Sequence, residues 1–367
     1  MKIQISKEDL LPSLSQVTSI IEKRQTLPIL GNVYIKTKKG EMTLVGSDLE
    51  TEITNVLLNV NADDGEITVS AKKFYDICRA LPDESVIELS IADNKMNITS
   101  GKSKFNLQTL SATEYPRLES KNWEIDFSVG QNDLATLFSS TSFAMAQQDV
   151  RYFLNGLLVE TQNDSITAVA TDGHRLAKNS IQSFVSSNSL IQSIVPRKAV
   201  QEIIKFVDVD SDEKLQIKIN NSHIAIISNN YHFISKLIDG RYPEYQKVIP
   251  NNLDKSIVLN KAHFSEVLTR TAILSNEKFR GISVLFKDSL LVVTSRNPDH
   301  EEAKDEMSID YQGEEIEIGF NVNYLLEAIR QCTTEKIVFH FKDASTSGVI
   351  KEEGNENKLY LIMPMRI

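Results

Sequence analysis

Hydrophobic and polar positions along this chain fall into one pattern three times. A polar residue opens an amphipathic helix at Ser6, where Leu10, Leu11, Leu14, Val17, Ile20 and Ile21 recur at helical spacing. The pattern returns at Gln131 with Leu134, Leu137 and Phe138, and again at Asn260 with Phe264, Val267, Leu268 and Ala272. Strand-like runs follow each helix: MTLVGSD at 42–48, ITAVATD at 166–172 and LLVVTSR at 290–296. A second helical pattern comes later in each unit, at 69–81, 195–207 and 320–330, and alternating runs follow it at 86–91, 215–219 and 336–341. The segments starting at Tyr115-Pro116 and Tyr242-Pro243 close the first two units, so equivalent positions recur about every 125 residues.

A repeat that long predicts three similar domains rather than a solenoid. Each reads as α+β, with helices on one face of antiparallel sheets. The polar stretches 122–126 and 251–254 set the boundaries, giving domains 1–125, 126–253 and 254–367. The 367 residues, 41% hydrophobic and 25% charged, suit several globular domains with their own cores. The N-terminus has no apolar signal region and no run is long enough for a membrane helix, so the expected location is cytoplasmic. Cys78 and Cys332 sit in apolar helical patterns and read as buried thiols of a reducing compartment.

The run Ala170-Thr171-Asp172-Gly173-His174-Arg175-Leu176-Ala177 draws attention as chemistry. An Asp two residues from a His could serve a hydrolase, but Asp and Gly are also what a tight strand-to-strand turn requires. With no nucleophile nearby, the turn is the better reading, and a turnover assay separates the two. Other catalytic signatures are missing. Gly101-Lys102-Ser103 resembles the end of a phosphate loop, yet Met96 stands where its first glycine belongs. The six histidines never pair at metal-ligand spacing, and two cysteines cannot build a zinc site, so neither metal nor cofactor is expected.

Net charge is −10, which by itself argues against a compact nucleic-acid reader. The basic residues are nevertheless grouped: Lys72, Lys73 and Arg79 on the second helix, Arg197, Lys198 and Lys205 on the fourth, Arg270 and Arg330 on the fifth and sixth, and Arg24 after the first. Were the helices to share a surface, it would be basic within an acidic protein. The acidic run Asp299, Glu301, Glu302, Asp305 and Glu306 reads as a solvated face.

Taken together, these segments resemble the bacterial DNA polymerase III β subunits, the sliding-clamp family. The resemblance spans the whole chain and rests on TLPILGN (26–32), FYDICR (74–79), QDVRY (148–152), LNG (154–156), ATDGHRLA (170–177), DGRYP (239–243), AILSNEKFRG (272–281), IGFNV (318–322) and MPMR (363–366). It implies the three-domain clamp fold and a head-to-tail homodimeric ring around double-stranded DNA, with twelve helices lining the hole. It also implies a processivity factor that catalyses nothing. Through short peptide motifs it would tether the polymerase III α subunit, the clamp loader, other DNA polymerases and mismatch-repair proteins.

By the resemblance, a peptide-binding pocket takes Leu154, Thr171, Gly173, His174, Arg175, Leu176, Pro243, Lys247, Val248, Phe279, Asn321, Tyr324, Ser347, Met363, Pro364, Met365, Arg366 and Ile367. His174 then becomes a pocket wall rather than a catalytic base. Lys247 stands where the family commonly has Arg, Ser345 where an apolar residue is common, and Ile367 where the chain usually ends in Leu. For DNA the matching positions are Arg24, Lys72, Gln148, Tyr152, Arg197 and Lys198, as phosphate contacts that carry no sequence preference. For the dimer, Lys73, Ile77, Leu81, Lys104 and Phe105 of one chain would meet Ile273, Leu274, Glu301 and Glu302 of the other. The alternative of a monomeric peptide-binding scaffold differs in its mass in solution.

Overall fold

The computed structural model describes residues 1–22, 27–183 and 189–366. Among them are six α-helices, two in each sequence repeat: α1 Lys7–Ser19, α2 Ala71–Ala80, α3 Gln131–Ser142, α4 Arg197–Phe206, α5 Lys261–Ala272 and α6 Val322–Arg330. Two of the three polar residues predicted to open them do so chemically, while Gln131 is the first residue of α3 and its Oε1 accepts Asp208 N–H at 2.9 Å. Ser6 Oγ accepts the backbone N–H of Asp9 at 3.1 Å, and Asn260 Oδ1 accepts that of His263 at 3.0 Å. The apolar positions of the helical pattern form the core: Leu10, Leu14, Val17 and Ile20 of the first helical run and Phe264, Val267 and Leu268 of α5 are almost wholly buried.

Each helix is followed by an antiparallel three-strand meander, and the meanders join across the repeat boundaries. Tyr231–Lys236, from the second repeat, pairs with Thr51–Leu57, from the first, with Phe233 opposite Ile53. Asn355–Ile362, from the third, pairs with Arg175–Gln182, from the second, with Leu361 opposite Leu176. The results are a 13-stranded and an 8-stranded sheet, and a 4-stranded sheet remains in the third repeat with Glu302–Ser308 at its edge. The chain is α+β, with antiparallel sheets and two helices per repeat, as the sequence pattern predicts.

Contacts divide the chain into two compact units. The first holds Met1–Leu134 and Gln201–Leu237, and with them the whole 13-stranded sheet. In it α1 meets α4 through Ser19 Oγ, which donates to Glu202 Oε2 at 2.8 Å. Among the described residues the second holds 135–183, 189–200 and 238–366, with the other two sheets. Its aromatic core includes Phe286 stacked on Phe341 at 4.0 Å, with Phe339 beside both. Cys78 and Cys332 are buried free thiols, and burial pushes each up to about 12.

Candidate functional site

The run 170–177 is a turn between two paired strands of the second unit. Ser165–Thr171 and Arg175–Gln182 face each other, with Thr171 opposite Leu176. Asp172 Oδ1 accepts the backbone N–H groups of His174 at 2.9 Å and Arg175 at 3.1 Å, while its Oδ2 pairs with Arg175 Nε at 3.1 Å. Thr171 Oγ1 donates to Arg175 O at 2.6 Å and accepts Gly173 N–H at 3.1 Å. Gly173 has φ +89°, a conformation that favours glycine, and a Cβ there would stand 3.0 Å from Arg151 Nη2, so that guanidinium would have to give way. Both carboxylate oxygens of Asp172 therefore hold the turn.

Arg175 organises what surrounds it. Its side chain is nearly buried and forms an ion pair with Glu327 of α6 as well as with Asp172. Nη2 donates to Phe143 O at 2.9 Å, and the guanidinium lies over the rings of Tyr324, at 4.5 Å, and Phe143, at 5.1 Å. His174 stacks on Tyr324 at 6.5 Å between ring centroids. Tyr324 and Glu327 lie one helical turn apart, so one face of α6 supplies both. Asn321 caps that helix by accepting Asn323 N–H at 2.9 Å, and its Nδ2 donates to Phe279 O at 3.3 Å.

The other two segments join the same turn. Tyr242 Oη accepts Thr171 N–H at 3.1 Å, and burial pushes that phenol well up. Met363 N–H donates to His174 O at 2.9 Å, and Met365 N–H to Gly319 O at 2.8 Å, so the tail ties the turn to the strand Ile316–Asn321. Leu154 and Leu176 are buried beside Tyr242, Tyr245 and Leu361, with Met363 packed against them. Pro243, Lys247 and Val248 are exposed, Lys247 paired with Glu244. Ser347 and Pro364 are half-buried, Arg366 is exposed, and Phe279 is exposed with Lys278 over its ring. Ser345 is exposed and bonded to Asp343. Ile367 lies outside the described residues.

A cavity of about 640 Å³ opens beside the turn, lined in part by His174, Arg175, Tyr324, Gln148 and Arg197. It thus brings together positions read separately as peptide-binding and DNA-binding. Its walls also include Phe143, Met145, Asp149 and Glu327, which sequence reasoning did not single out. The segment QDVRY was the available signal. Asn155 holds its loop by hydrogen bonds of 2.9 Å to the Asp149 backbone in both directions. Hydrogen bonds from Arg151 hold the Asp149 carboxyl down at about 2.

The remaining positions are spread over both units. Lys72, Lys73, Ile77, Leu81, Lys104 and Phe105 belong to the first, where Lys72, Lys73 and Lys104 are exposed and Leu81 is buried. Tyr152, Gln148, Ile273, Leu274, Glu301 and Glu302 belong to the second. Ile273 is 75% exposed at the end of α5 and Leu274 half-buried. Arg197 donates to Met145 O at 3.1 Å, and Lys198 is half-buried. Arg24 lies outside the described residues. No group of His, Cys, Asp and Glu among the described residues is arranged to hold a metal ion. No helix among the described residues is long and apolar enough to cross a membrane.

Comparison with known proteins covers the same length. Three family models match in order: the DNA polymerase III beta subunit N-terminal domain over residues 1–119, its central domain over 128–244 and its C-terminal domain over 246–366. The beta sliding clamp of Pseudomonas aeruginosa is 40% identical over 368 residues, and that of Escherichia coli 39% over 370, each aligned over all of both chains. Among solved structures, a Pseudomonas aeruginosa sliding clamp bound to griselimycin superposes with a TM-score of 0.97 at 40% identity, covering both chains completely. With all three domain models matched in sequence and a fold that follows solved clamps end to end, the chain belongs to the DNA polymerase III beta subunit family, the beta sliding clamps.

Proposed function

We propose that the chain is a replication processivity factor that closes head-to-tail with a second copy into a ring around duplex DNA. The observation that carries this reading is the fate of its strand edges. Two repeat boundaries are sealed by strand pairing, 51–57 with 231–236 and 175–182 with 355–362. The strands in the equivalent places are Ser103–Leu110 in the first repeat and Glu302–Ser308 in the third. Glu302–Ser308 pairs on one side only among the described residues, and Ser103–Leu110 meets a second neighbour only at Thr109 and Leu110. Open edges invite another strand. One carries Lys104, with Lys102 just before it; the other carries Glu302, Asp305 and Glu306 against the single Lys304, with Glu301 just before it. Opposite charges favour one edge meeting the other, and like charges disfavour either meeting its own copy.

On this reading Lys73, Ile77, Phe105, Ile273 and Leu274 add apolar and basic contacts around the new strand pair. Leu81, already buried within its own chain, has little side-chain area left to contribute. Duplex DNA would be met by Arg24, Lys72, Gln148, Tyr152, Arg197 and Lys198 through phosphates. Enclosure rather than affinity would do the holding, so a net charge of −10 is compatible with sliding.

The turn 171–176, the segment at Tyr242 and the C-terminal tail would take short peptide motifs of the polymerase III α subunit, the clamp loader, other polymerases and mismatch-repair proteins. The reading includes no catalytic step, and its setting is the cytoplasm. It also takes the domains as 1–125, 126–253 and 254–367. After loading by a clamp loader, the protein should stay on nicked circular DNA and leave once that DNA is linearised. Equal retention on both forms would mean direct affinity and would sink the ring.

A further inference from the structure

A cavity of about 320 Å³ lies in the first unit, where the segment 117–123 crosses the strands Thr51–Leu57, Tyr231–Lys236 and Lys214–Ile219. Leu118, Trp123, Ile227 and His232, all half-buried, line it, with Ile234 beneath them. The segment is tied down at two points. Arg117 Nε donates to Glu52 Oε1 at 3.0 Å and Leu118 N–H to Glu52 Oε2 at 2.9 Å; farther on, Asn220 Nδ2 donates to Ser120 Oγ at 2.8 Å and to Lys121 O at 3.1 Å. The walls are thus held by the protein's own hydrogen bonds, as in a pre-formed pocket.

In the second seam the corresponding place is packed by the chain itself. Aligning Tyr115-Pro116 with Tyr242-Pro243 makes Leu118 the counterpart of Tyr245 and Asn122 that of Ile249. The strand registers make Ile234 the counterpart of Leu361 and His232 that of Leu359. Tyr245 is buried with Leu361, and Ile249 and Leu359 pack against that cluster. At the first seam a leucine stands in place of the phenol ring and an exposed asparagine in place of the isoleucine. The missing part is a flat ring.

The charges around the space favour an anion. Arg117, Lys121 and Lys218 line it against the carboxylates of Glu52 and Glu119. Glu52 is buried, and both its oxygens are taken by Arg117 and Leu118. Lys121 meets Glu119 only at 3.9 Å, with both side chains exposed, and Lys218 meets Asp126 at 3.5 Å. Ion pairs of that kind hold little energy and give way readily. Burial, with the charges of Arg117 and Lys218, holds the His232 imidazole below its ordinary 6.5, so at pH 7 it is neutral and adds no charge of its own. An organic cation would be repelled by the lysines, and a neutral hydrocarbon would leave them unanswered. A cavity of about 150 Å³ already holds benzene, so this one has room for a ring with a short charged arm.

We infer that this cavity is a ligand site, separate from the proposed peptide site, for a small aromatic carboxylate. Its ring takes the place that Tyr245 fills in the second seam, and its carboxylate, on a short arm, reaches Lys121 and Lys218. Trp123 is the only tryptophan in the chain, so its fluorescence reads the cavity directly. With the full chain, 3-phenylpropionate should change that emission saturably, at one per chain by calorimetry. It should bind about fivefold more tightly than the neutral 3-phenylpropanamide, which is the scale of one exposed ion pair. The double variant K121Q/K218Q should erase that preference and leave binding of the amide as it was. The absence of a saturable change in Trp123 emission would overturn the assignment. So would displacement of 3-phenylpropionate by a peptide of the Gln-Leu-x-Leu-Phe type, or a preference for the acid that survives K121Q/K218Q with the thermal unfolding of the two proteins alike.

Discussion

The turn at 48–51 and the turn at 172–175 are the same device in two repeats. Asp48 Oδ1 accepts the N–H groups of Glu50 at 2.9 Å and Thr51 at 2.6 Å; Asp172 Oδ1 does the same for His174 and Arg175. Each is followed by a strand that pairs with the next repeat, and each is clasped by it at the same atom. Lys236 N–H donates to Glu50 O at 2.9 Å where Met363 N–H donates to His174 O at 2.9 Å. A wider counterpart exists at Asn297, whose Oδ1 accepts the N–H groups of Asp299 and Glu301, two and four residues on, and there the next strand, Glu302–Ser308, pairs on one side only among the described residues.

The frame is constant and the decoration differs. At the first turn Glu50 pairs with Lys236 and the surface is closed by charge. At the second, Arg175 turns inward to Glu327 and lies over Tyr324, and a cavity opens beside it. Strand pairing closes both seams, and the side chains at equivalent places decide whether an ion pair or a cavity lies beside the turn.

The largest effect is expected at the open seam. Replacing Ile273 and Leu274 together by Ala should remove about 2 kcal/mol or more at each position that the partner fully covers. Sedimentation should then show monomer at micromolar concentration; a dimer that persists would put the contact elsewhere and end the analogy between the third turn and the other two.

At the second turn, Gly173→Ala forces a Cβ into a positive-φ position facing Arg151, and should lower unfolding stability by about 1–3 kcal/mol. Leu49 already occupies φ +73° in the first turn, so Leu49→Ala should be much milder there. Urea unfolding of both variants tests whether the two turns differ as described; equal losses would contradict it.

Removing residues 363–367 takes away the clasp on His174 O and, on the proposed reading, one wall of the peptide site. Affinity for a peptide of the Gln-Leu-x-Leu-Phe type should fall at least tenfold, about 1.4 kcal/mol. The dimer should survive. Fluorescence anisotropy with light scattering reads both quantities, and unchanged peptide affinity in a dimeric truncation would take the tail out of the site.

The smallest effect is a titration. Asp149 is held at about 2 against an ordinary 3.8, chiefly by hydrogen bonds from Arg151. Because the folded value is the lower one, its contribution to stability is complete above the unfolded value and disappears as pH falls from about 4 to about 2. NMR titration of the side-chain carboxyl should give a midpoint near 2, moving back toward the ordinary value in Arg151→Ala. A midpoint that ignores that substitution would mean Arg151 does not hold the loop.

Periodicity in the sequence determined the six helices, the three repeats and the α+β class, because a buried helix face or strand face imposes its own spacing on apolar residues. Asp172-Gly173 also announced its turn, since few residues accept a positive φ and fewer can cap the N–H groups that follow. The family resemblance, carried by short segments such as ATDGHRLA and QDVRY, pointed to Gln148, His174, Arg175, Arg197 and Tyr324, which line the cavity beside the turn. Tertiary structure alone decided which strand of one repeat pairs with which strand of the next, since an edge strand shows the same alternation whatever lies beside it. It also decided that Phe143 and Glu327, 184 positions apart in the sequence, join Arg175. No local pattern marks either one: Phe143 offers a backbone carbonyl and a ring face, Glu327 a carboxylate on an ordinary helix, and only folding puts a guanidinium between them.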